Sequence, residues 1–304
     1  MKPKLVVILG PTGVGKSEVA VDIALKVDGE VVNADSQLVN RHMDIGTAKP
    51  AVSIRRKVPH HLIDIVDPDG EFNAALYREL ALKAIQEISA RGKKAIVCGG
   101  TGLYLRALIQ GLFVGPGKNP EIRKRLEEEA EKKGLSVLYE RLREVDPEAT
   151  RWIHPNDRYR IIRAVEVFQI TGKGISLWQK EHGFTDREFE VLKIGLNRER
   201  QELYDQINRR CDEMIARGLV EEVKGLVEKG YSLDLPALQS VGYRQIGLYL
   251  RGQLSLDEAV TLVKRDTRHL AKRQLTWFRS DKEIRWFRPE EEGILKAVDQ
   301  FLHH

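Results

Sequence analysis

The chain predicts an α/β fold: a P-loop parallel-sheet core covered by helices, with an inserted all-helical lobe. Three observations carry this expectation. A glycine-rich loop sits between an apolar run and a helix near the N-terminus, strands alternate with helices over the first hundred or so residues, and a later stretch reads as helices only before an apolar strand returns.

Leu5-Val6-Val7-Ile8-Leu9 reads as a buried parallel strand, near 4–9. It feeds Gly10-Pro11-Thr12-Gly13-Val14-Gly15-Lys16-Ser17, a complete phosphate-binding loop at the usual spacing, and a helix follows near 16–27. Gly10, Gly13 and Gly15 let successive backbone N–H groups turn toward phosphate oxygens where a Cβ would block the approach. The helix start adds its positive dipole end, the Lys16 ammonium neutralises phosphate charge, and the Ser17 hydroxyl suits a magnesium ion (Mg2+). The motif specifies phosphate, as in ATP and other nucleotides, but a diphosphate leaving group suits it equally.

Further strands are expected near 30–35, 60–66, 94–98 and 190–196, with helices near 72–90 and 102–110. Ligands in such folds gather beyond the carboxyl ends of the strands. Asp35-Ser36-Gln37 follows the second strand and Gly99-Gly100-Thr101-Gly102 follows the fourth, so both should face the phosphate loop. The breaker Gly115-Pro116-Gly117-Lys118-Asn119-Pro120 separates a core segment, 1–118, from a helical lobe, 119–189; the core resumes over 190–304. Within the lobe, Asn156-Asp157 can cap a helix whose apolar stripe is Ile161, Ile162, Val165 and Phe168, leaving Arg158, Arg160 and Arg163 available or merely solvated. After the fifth strand, Leu203, Ile207, Cys211, Met214 and Ile215 share a helical face that ends near Gly218.

The 304 residues, 42% of them hydrophobic, suffice for one large domain or two smaller ones. No apolar stretch approaches a membrane span and Met1-Lys2-Pro3 runs directly into the first strand, so a cytoplasmic protein without membrane contact is expected, as a monomer although no motif sets its oligomeric state. Cys98 and Cys211 lie in no metal or redox spacing and read as packing residues. The net charge is only +5, yet between Lys264 and Arg288 nine bases face three acids. Lys264, Arg268 and Lys272 recur every four residues, with Trp277 and Phe278 beyond them, a pattern open to two readings: contact with a nucleic-acid backbone, or a solvated helix with its aromatics in the core.

Asp35 could cap a helix, hold magnesium or accept a proton. An ordinary nucleoside triphosphatase would place a magnesium-holding Asp after another buried strand, but Ala95-Ile96-Val97-Cys98 ends in Gly99-Gly100. The rival Leu62-Ile63-Asp64-Ile65-Val66-Asp67 reads as an edge strand, which leaves Asp35 free to act as a base.

These segments, together with Met43-Asp44-Ile45-Gly46-Thr47-Ala48-Lys49-Pro50, His60-His61-Leu62-Ile63-Asp64, Val241-Gly242-Tyr243-Arg244-Gln245 and Thr267-Arg268-His269-Leu270-Ala271-Lys272-Arg273-Gln274, closely resemble the bacterial tRNA dimethylallyltransferases, or tRNA isopentenyltransferases, over nearly the whole chain and in order. The resemblance implies transfer of a dimethylallyl group from dimethylallyl diphosphate to the exocyclic amine of the adenosine 3′ of the anticodon, in tRNAs reading codons that begin with U. It implies that the loop holds diphosphate, that Asp35 is the base, that Thr101 sits against the reacting amine and that Arg217 reaches the diphosphate. The base must leave its stack in the anticodon stem-loop to enter the pocket. By the same resemblance the tRNA contacts are Asp35, Ser36, Gln37, Leu38 and Thr101; Arg123, Tyr159, Arg160, Ile161, Ile162 and Arg163 in the lobe; Gln239, Ser240, Val241, Gly242, Tyr243 and Arg244; and Arg268, Lys272 and Arg273 on the basic helix. A small-molecule or nucleotide kinase and an RNA-binding nucleotide switch are the alternatives; ATP turnover or nucleotide-dependent RNA affinity without modified product would mark them.

Overall fold

Six parallel strands in the order β3-β2-β4-β1-β5-β6 form the core of the computed structural model, which describes residues 2–112, 115–182 and 188–303. The first unit, Met1–Ile109 with Arg187–His304, begins with β1 (Lys4–Leu9), α1 (Lys16–Lys26), β2 (Gly29–Asn33), α2 (Val52–Lys57), β3 (His60–His61), α3 (Ala74–Ala90), β4 (Lys94–Gly99) and α4 (Gly102–Gln110). The second unit, Gln110–Asp186, contains α5 (Pro120–Lys133), α6 (Leu135–Val145), α7 (Arg158–Thr171) and α8 (Ile175–His182). The first unit then resumes with β5 (Glu190–Leu196), α9 (Arg200–Ala216), α10 (Leu219–Glu228), α11 (Tyr243–Leu250), α12 (Leu256–Arg279), β6 (Arg285–Phe287) and α13 (Gly293–His303).

β1 lies between β4 and β5, paired Ile8 to Cys98 and Ile8 to Ile194, so its side chains are buried on both faces. Continuous apolar runs are what such strands require. Val6, Ile8, Val31, Ile96, Leu192 and Ile194 pack with Ala20 and Ile23 of α1 and Leu203 and Ile207 of α9 in one core. Both cysteines are buried and free, as packing residues should be.

Two expectations are corrected. The strand expected over 60–66 ends after His61, because Leu62 and Asp64 adopt positive φ angles of 62° and 58° and turn the chain out of the sheet. This turn carries Asp64 to Lys49 and Arg55, which bind its two carboxylate oxygens. In addition β6, absent from the sequence reading, extends the sheet beside β5; its three residues Arg285-Trp286-Phe287 are too short for periodicity to register.

All regular elements among the lobe's described residues are helices; the remainder of its expected span, 183–187, lies outside them. The Asn119 side chain accepts from the Glu121 and Ile122 N–H groups with Pro120 at the first helical position, and Asp157 accepts from the Arg160 N–H. Leu126, Leu138, Leu142, Ile161, Ile162 and Val165 form the lobe's core. Phe168 is only half-buried and Val167 takes the interior place. No helix among the described residues is long and apolar enough to cross a membrane.

Candidate active site

The phosphate loop takes its shape from close contact with β5. Gly10 has φ 148°, and a Cβ there would lie 2.6 Å from the Leu196 carbonyl oxygen, so glycine alone lets the loop leave β1 at this point. Gly13 and Gly15 follow at φ 81° and 104°, and Gly15 is the N-cap of α1. Lys16 Nζ donates to the Pro11 carbonyl at 2.8 Å. Burial lowers the pKa of this ammonium, and the nearby Asp35 carboxylate acts in the opposite sense. The Val14 side chain is buried in the core, leaving its backbone to the loop.

Gln274 on α12 ties the loop to the neighbouring strand end. Its Oε1 accepts from the Thr12 N–H at 2.8 Å and its Nε2 donates to the Gly100 carbonyl at 3.0 Å. This contact gives the Gln of the Ala-Lys-Arg-Gln segment a structural task that its neighbours in sequence do not reveal.

At the end of β2, Asn33 Oδ1 accepts from the Asp35 N–H at 2.9 Å while its Nδ2 donates to the Asp35 and Leu62 carbonyls. Asp35 Oδ1 in turn accepts from the Gln37 N–H at 2.9 Å, and its other carboxylate oxygen has no hydrogen-bond partner among the described residues. The Ser36 N–H donates to Thr101 Oγ1 at 3.0 Å, and a Cβ on Gly99 would come within 2.2 Å of the Ala34 backbone. The ends of β2 and β4 are thereby clamped, with Asp35 and Thr101 on one cavity.

Three cavities adjoin the loop. An outer one of about 620 Å³ is lined by Gly13, Gly15, Lys16, Ser17 and Arg217. A central one of about 70 Å³ holds Thr12, Lys16, Ser17 and Asp35. An inner one, also about 620 Å³, holds Thr12, Asp35, Ser36, Gln37, Thr101 and Arg273, together with Gln239, Ser240, Val241, Gly242 and Arg244. Arg210 lines all three. Burial lowers its pKa, and among the described residues it makes no ion pair.

Arg210 was not singled out by sequence. The available signal is its place on α9, three residues after Ile207 and four before Met214, both on the buried stripe. A cation at that spacing lies beside the apolar face. Arg217 was expected to reach the diphosphate; it lines only the outer cavity and forms the C-cap of α9.

Other expected contacts separate into surface and interior. Tyr159 is exposed, and Arg160 pairs with Asp157. The side chains of Ile161 and Ile162 are buried in the lobe's core, which leaves only their main chain for contact. Arg123 and Arg163 both bind the fully buried Glu166, and Arg163 also reaches the Pro116 carbonyl. The Tyr243 ring is likewise fully buried, and its hydroxyl donates to Glu222 Oε1 at 2.6 Å. Leu38 lines the central cavity and not the inner one. On α12, Lys264 pairs with Asp212, and Arg268 donates to Asn208 and lies over the Tyr204 ring. Lys272 and Arg273 are exposed, Trp277 is partly exposed, and Phe278 is buried.

No group of three His, Cys, Asp or Glu residues suited to a metal occurs among the described residues. Ser17 beside Lys16 on the outer and central cavities fits an ion held chiefly by substrate oxygens and water, the usual manner for magnesium at phosphates.

Comparison with known proteins agrees along the chain. The family model described as IPP transferase matches residues 38–281. The tRNA dimethylallyltransferase 2 of Geotalea uraniireducens is 54% identical over 285 residues, 94% of this chain and 92% of that protein. The crystal structure of the full-length tRNA isopentenylpyrophosphate transferase from Bacillus halodurans is 39% identical, with a TM-score of 0.73, covering 99% of this chain and 96% of the other. A eukaryotic dimethylallyltransferase acting on tRNA is 31% identical with a TM-score of 0.76, over 91% of this chain and 70% of the other. With a glycine-rich loop, a carboxylate and an arginine around adjoining cavities, and with relatives matched across their length, this chain belongs to the IPP transferase family.

Proposed function

We propose that the chain transfers the dimethylallyl group of dimethylallyl diphosphate to the N6 amine of the adenosine 3′ of the anticodon, in tRNAs that read codons beginning with U. One observation carries the reading: Asp35 and the phosphate loop open onto adjoining cavities, with Thr12, Asp35 and Arg210 common to the central and inner ones. The inner cavity is roomy enough for an extruded purine and the outer one for a diphosphate.

An adenine amine is a poor nucleophile, because its lone pair is delocalised into the ring. As N6 attacks the allylic C1, the N–C bond forms, the C1–O bond breaks, the N–H proton passes to Asp35 and diphosphate departs. The loop N–H groups, Lys16 and Arg210 hold the leaving group and neutralise its growing charge. Ser17 would hold magnesium, which supplies further neutralisation at the diphosphate. Thr101, whose Oγ1 accepts from the Ser36 N–H, lines the same cavity as Asp35, and in this reading it faces the amine. Surface for the anticodon stem-loop is offered in the core by Arg244, Lys272 and Arg273, with Gln37 on the inner cavity. The lobe, taken by itself, exposes Tyr159 and Arg160. A tRNA substrate accords with the cytoplasmic setting expected from the sequence, and the chain is taken to act as a monomer.

The test is incubation with an unmodified anticodon stem-loop and dimethylallyl diphosphate, followed by mass measurement of the RNA. The expected product gains one C5H8 unit, and Asp35→Ala lowers its rate by at least about a hundredfold while tRNA binding persists. Productive ATP turnover without modified RNA overturns the reading.

A further inference from the structure

The central cavity has a floor, and the floor has consequences for the donor. Its polar end carries Lys16, Asp35 and Arg210, whereas Ala20, Val31 and His60 line it further in. Ala20 follows Lys16 by one turn of α1, about 6 Å along the helix axis. Val31 on β2 is the register partner of His60 on β3 and of Ile96 on β4, so these three lie at one depth in the sheet. Ala20 is fully buried and Val31 is 3% exposed.

Beneath this floor there is core and no space. Ala20 and Val31 belong to the cluster that includes Ile23, Ala24, Val58 and Ile96, each at most 1% exposed. Protein interiors pack to the density of organic crystals, so a chain reaching past Val31 must displace these side chains. His60 adds no charge to the cavity. Its Nδ1 lies 2.7 Å from the Val58 carbonyl oxygen, which can only accept, so that nitrogen carries the proton. Burial lowers the ring's pKa, which keeps it neutral near pH 7.

We propose that Ala20 and Val31 are the specificity-determining residues for donor length, forming a stop that admits a five-carbon allylic diphosphate and rejects one with a second isoprenoid unit. The inference rests on the donor reading above and adds the residues that limit it. At about 70 Å³ the cavity suits a short branched alkyl group on a diphosphate anchored at Lys16. A geranyl chain anchored at the same loop would run its distal unit into Ile23, Val58 and Ile96.

The experiment offers geranyl diphosphate and dimethylallyl diphosphate separately to the full chain with the anticodon stem-loop, and the RNA is weighed for C10H16 or C5H8. The wild-type chain is expected to favour the shorter donor by at least about a hundredfold in kcat/KM. Val31→Ala, which deepens the floor, should raise geranyl transfer by about tenfold or more while dimethylallyl transfer persists. Ala20→Val, which raises the floor, should increase the KM for dimethylallyl diphosphate by about tenfold and leave the KM for tRNA unchanged.

Comparable use of both donors by the wild type overturns the inference. So does a Val31→Ala chain that retains C5H8 transfer without gaining geranyl transfer. If Val31→Ala transfers neither donor, Ala20→Val decides: a rise confined to the donor KM supports the stop, and an unchanged donor KM overturns it. Absence of any C5H8 product with the wild type is a separate result, which removes the donor reading itself.

Discussion

Arg210 of the core and Arg163 of the lobe each stand on a helix beside a buried apolar stripe, yet they differ in what neutralises them. Arg163 Nη1 donates to Glu166 Oε2 at 2.8 Å, Arg123 shares that carboxylate at 2.9 Å, and Glu166 Oε1 accepts from the Asn119 N–H. Arg210 and Lys16 form no ion pair among the described residues, and the Asp35 carboxylate acts on both only at longer range. A desolvated cation left unpaired is costly, so the lobe supplies its own anion as architecture. The core leaves the anion to be brought in, at the place where a diphosphate is expected.

That difference can be broken by substitution, and the largest effect should fall on the core. Arg210→Gln is expected to lower kcat/KM for dimethylallyl diphosphate by about a hundredfold, as for loss of one donor to a developing anion. Its melting temperature should hold or rise, because a charge without a partner has been removed from a desolvated position. Steady-state kinetics and thermal melts check both; a loss of stability with an unchanged donor KM would make Arg210 architectural.

Glu166→Gln should do the reverse. Removing the carboxylate leaves Arg123 and Arg163 uncompensated, and a loss of about 3 kcal/mol in lobe stability is expected by urea denaturation. Burial alone would raise the pKa of Glu166, but Arg163, the Asn119 N–H and Arg123 more than offset it and hold the carboxyl below its ordinary value. Its contribution is therefore complete above the ordinary glutamate pKa and disappears as pH falls through the depressed folded value. Wild-type lobe stability should decline over that acidic window and the Glu166→Gln chain should lack this component of the decline.

The smallest effect sharpens the comparison on the surface. Lys272 is exposed and makes no ion pair among the described residues, but unlike Arg210 it is solvated. Lys272→Ala should flatten the log–log salt dependence of tRNA binding by about one, with diphosphate affinity unaffected. An unchanged slope would assign that face of α12 to solvent.

Much of this was legible residue by residue. The strands at 4–9 and 190–196 announce themselves as apolar runs, and Asn119-Pro120 and Asp157 mark helix starts by local chemistry. The segment over 60–66 shows where such reading stops. Its alternation fits a strand, and the turn at Leu62 is held by partners elsewhere in the chain, Lys49 and Arg55 on Asp64 and Asn33 on the Leu62 carbonyl. Ile161 and Ile162 show the converse, since the apolar stripe read from their spacing is the face of α7 that the lobe's core covers. Arg210 is the largest omission. It belongs to no phosphate motif, and its significance arises because α9 packs beside a loop almost two hundred residues earlier in the chain.

Taken alone, the sequence determined the phosphate loop, the Asp35 turn, the helical character of the lobe and the resemblance to a family, since each depends on neighbours a few positions apart and on backbone freedoms peculiar to glycine, asparagine and proline. Tertiary structure decided which cations remain unpaired, that Gln274 braces Thr12 against Gly100, and where the cavity beside Lys16 ends against Val31. The physical reason is that pairing and packing are properties of groups brought together across the chain, and their energies exist only once the sheet has assembled.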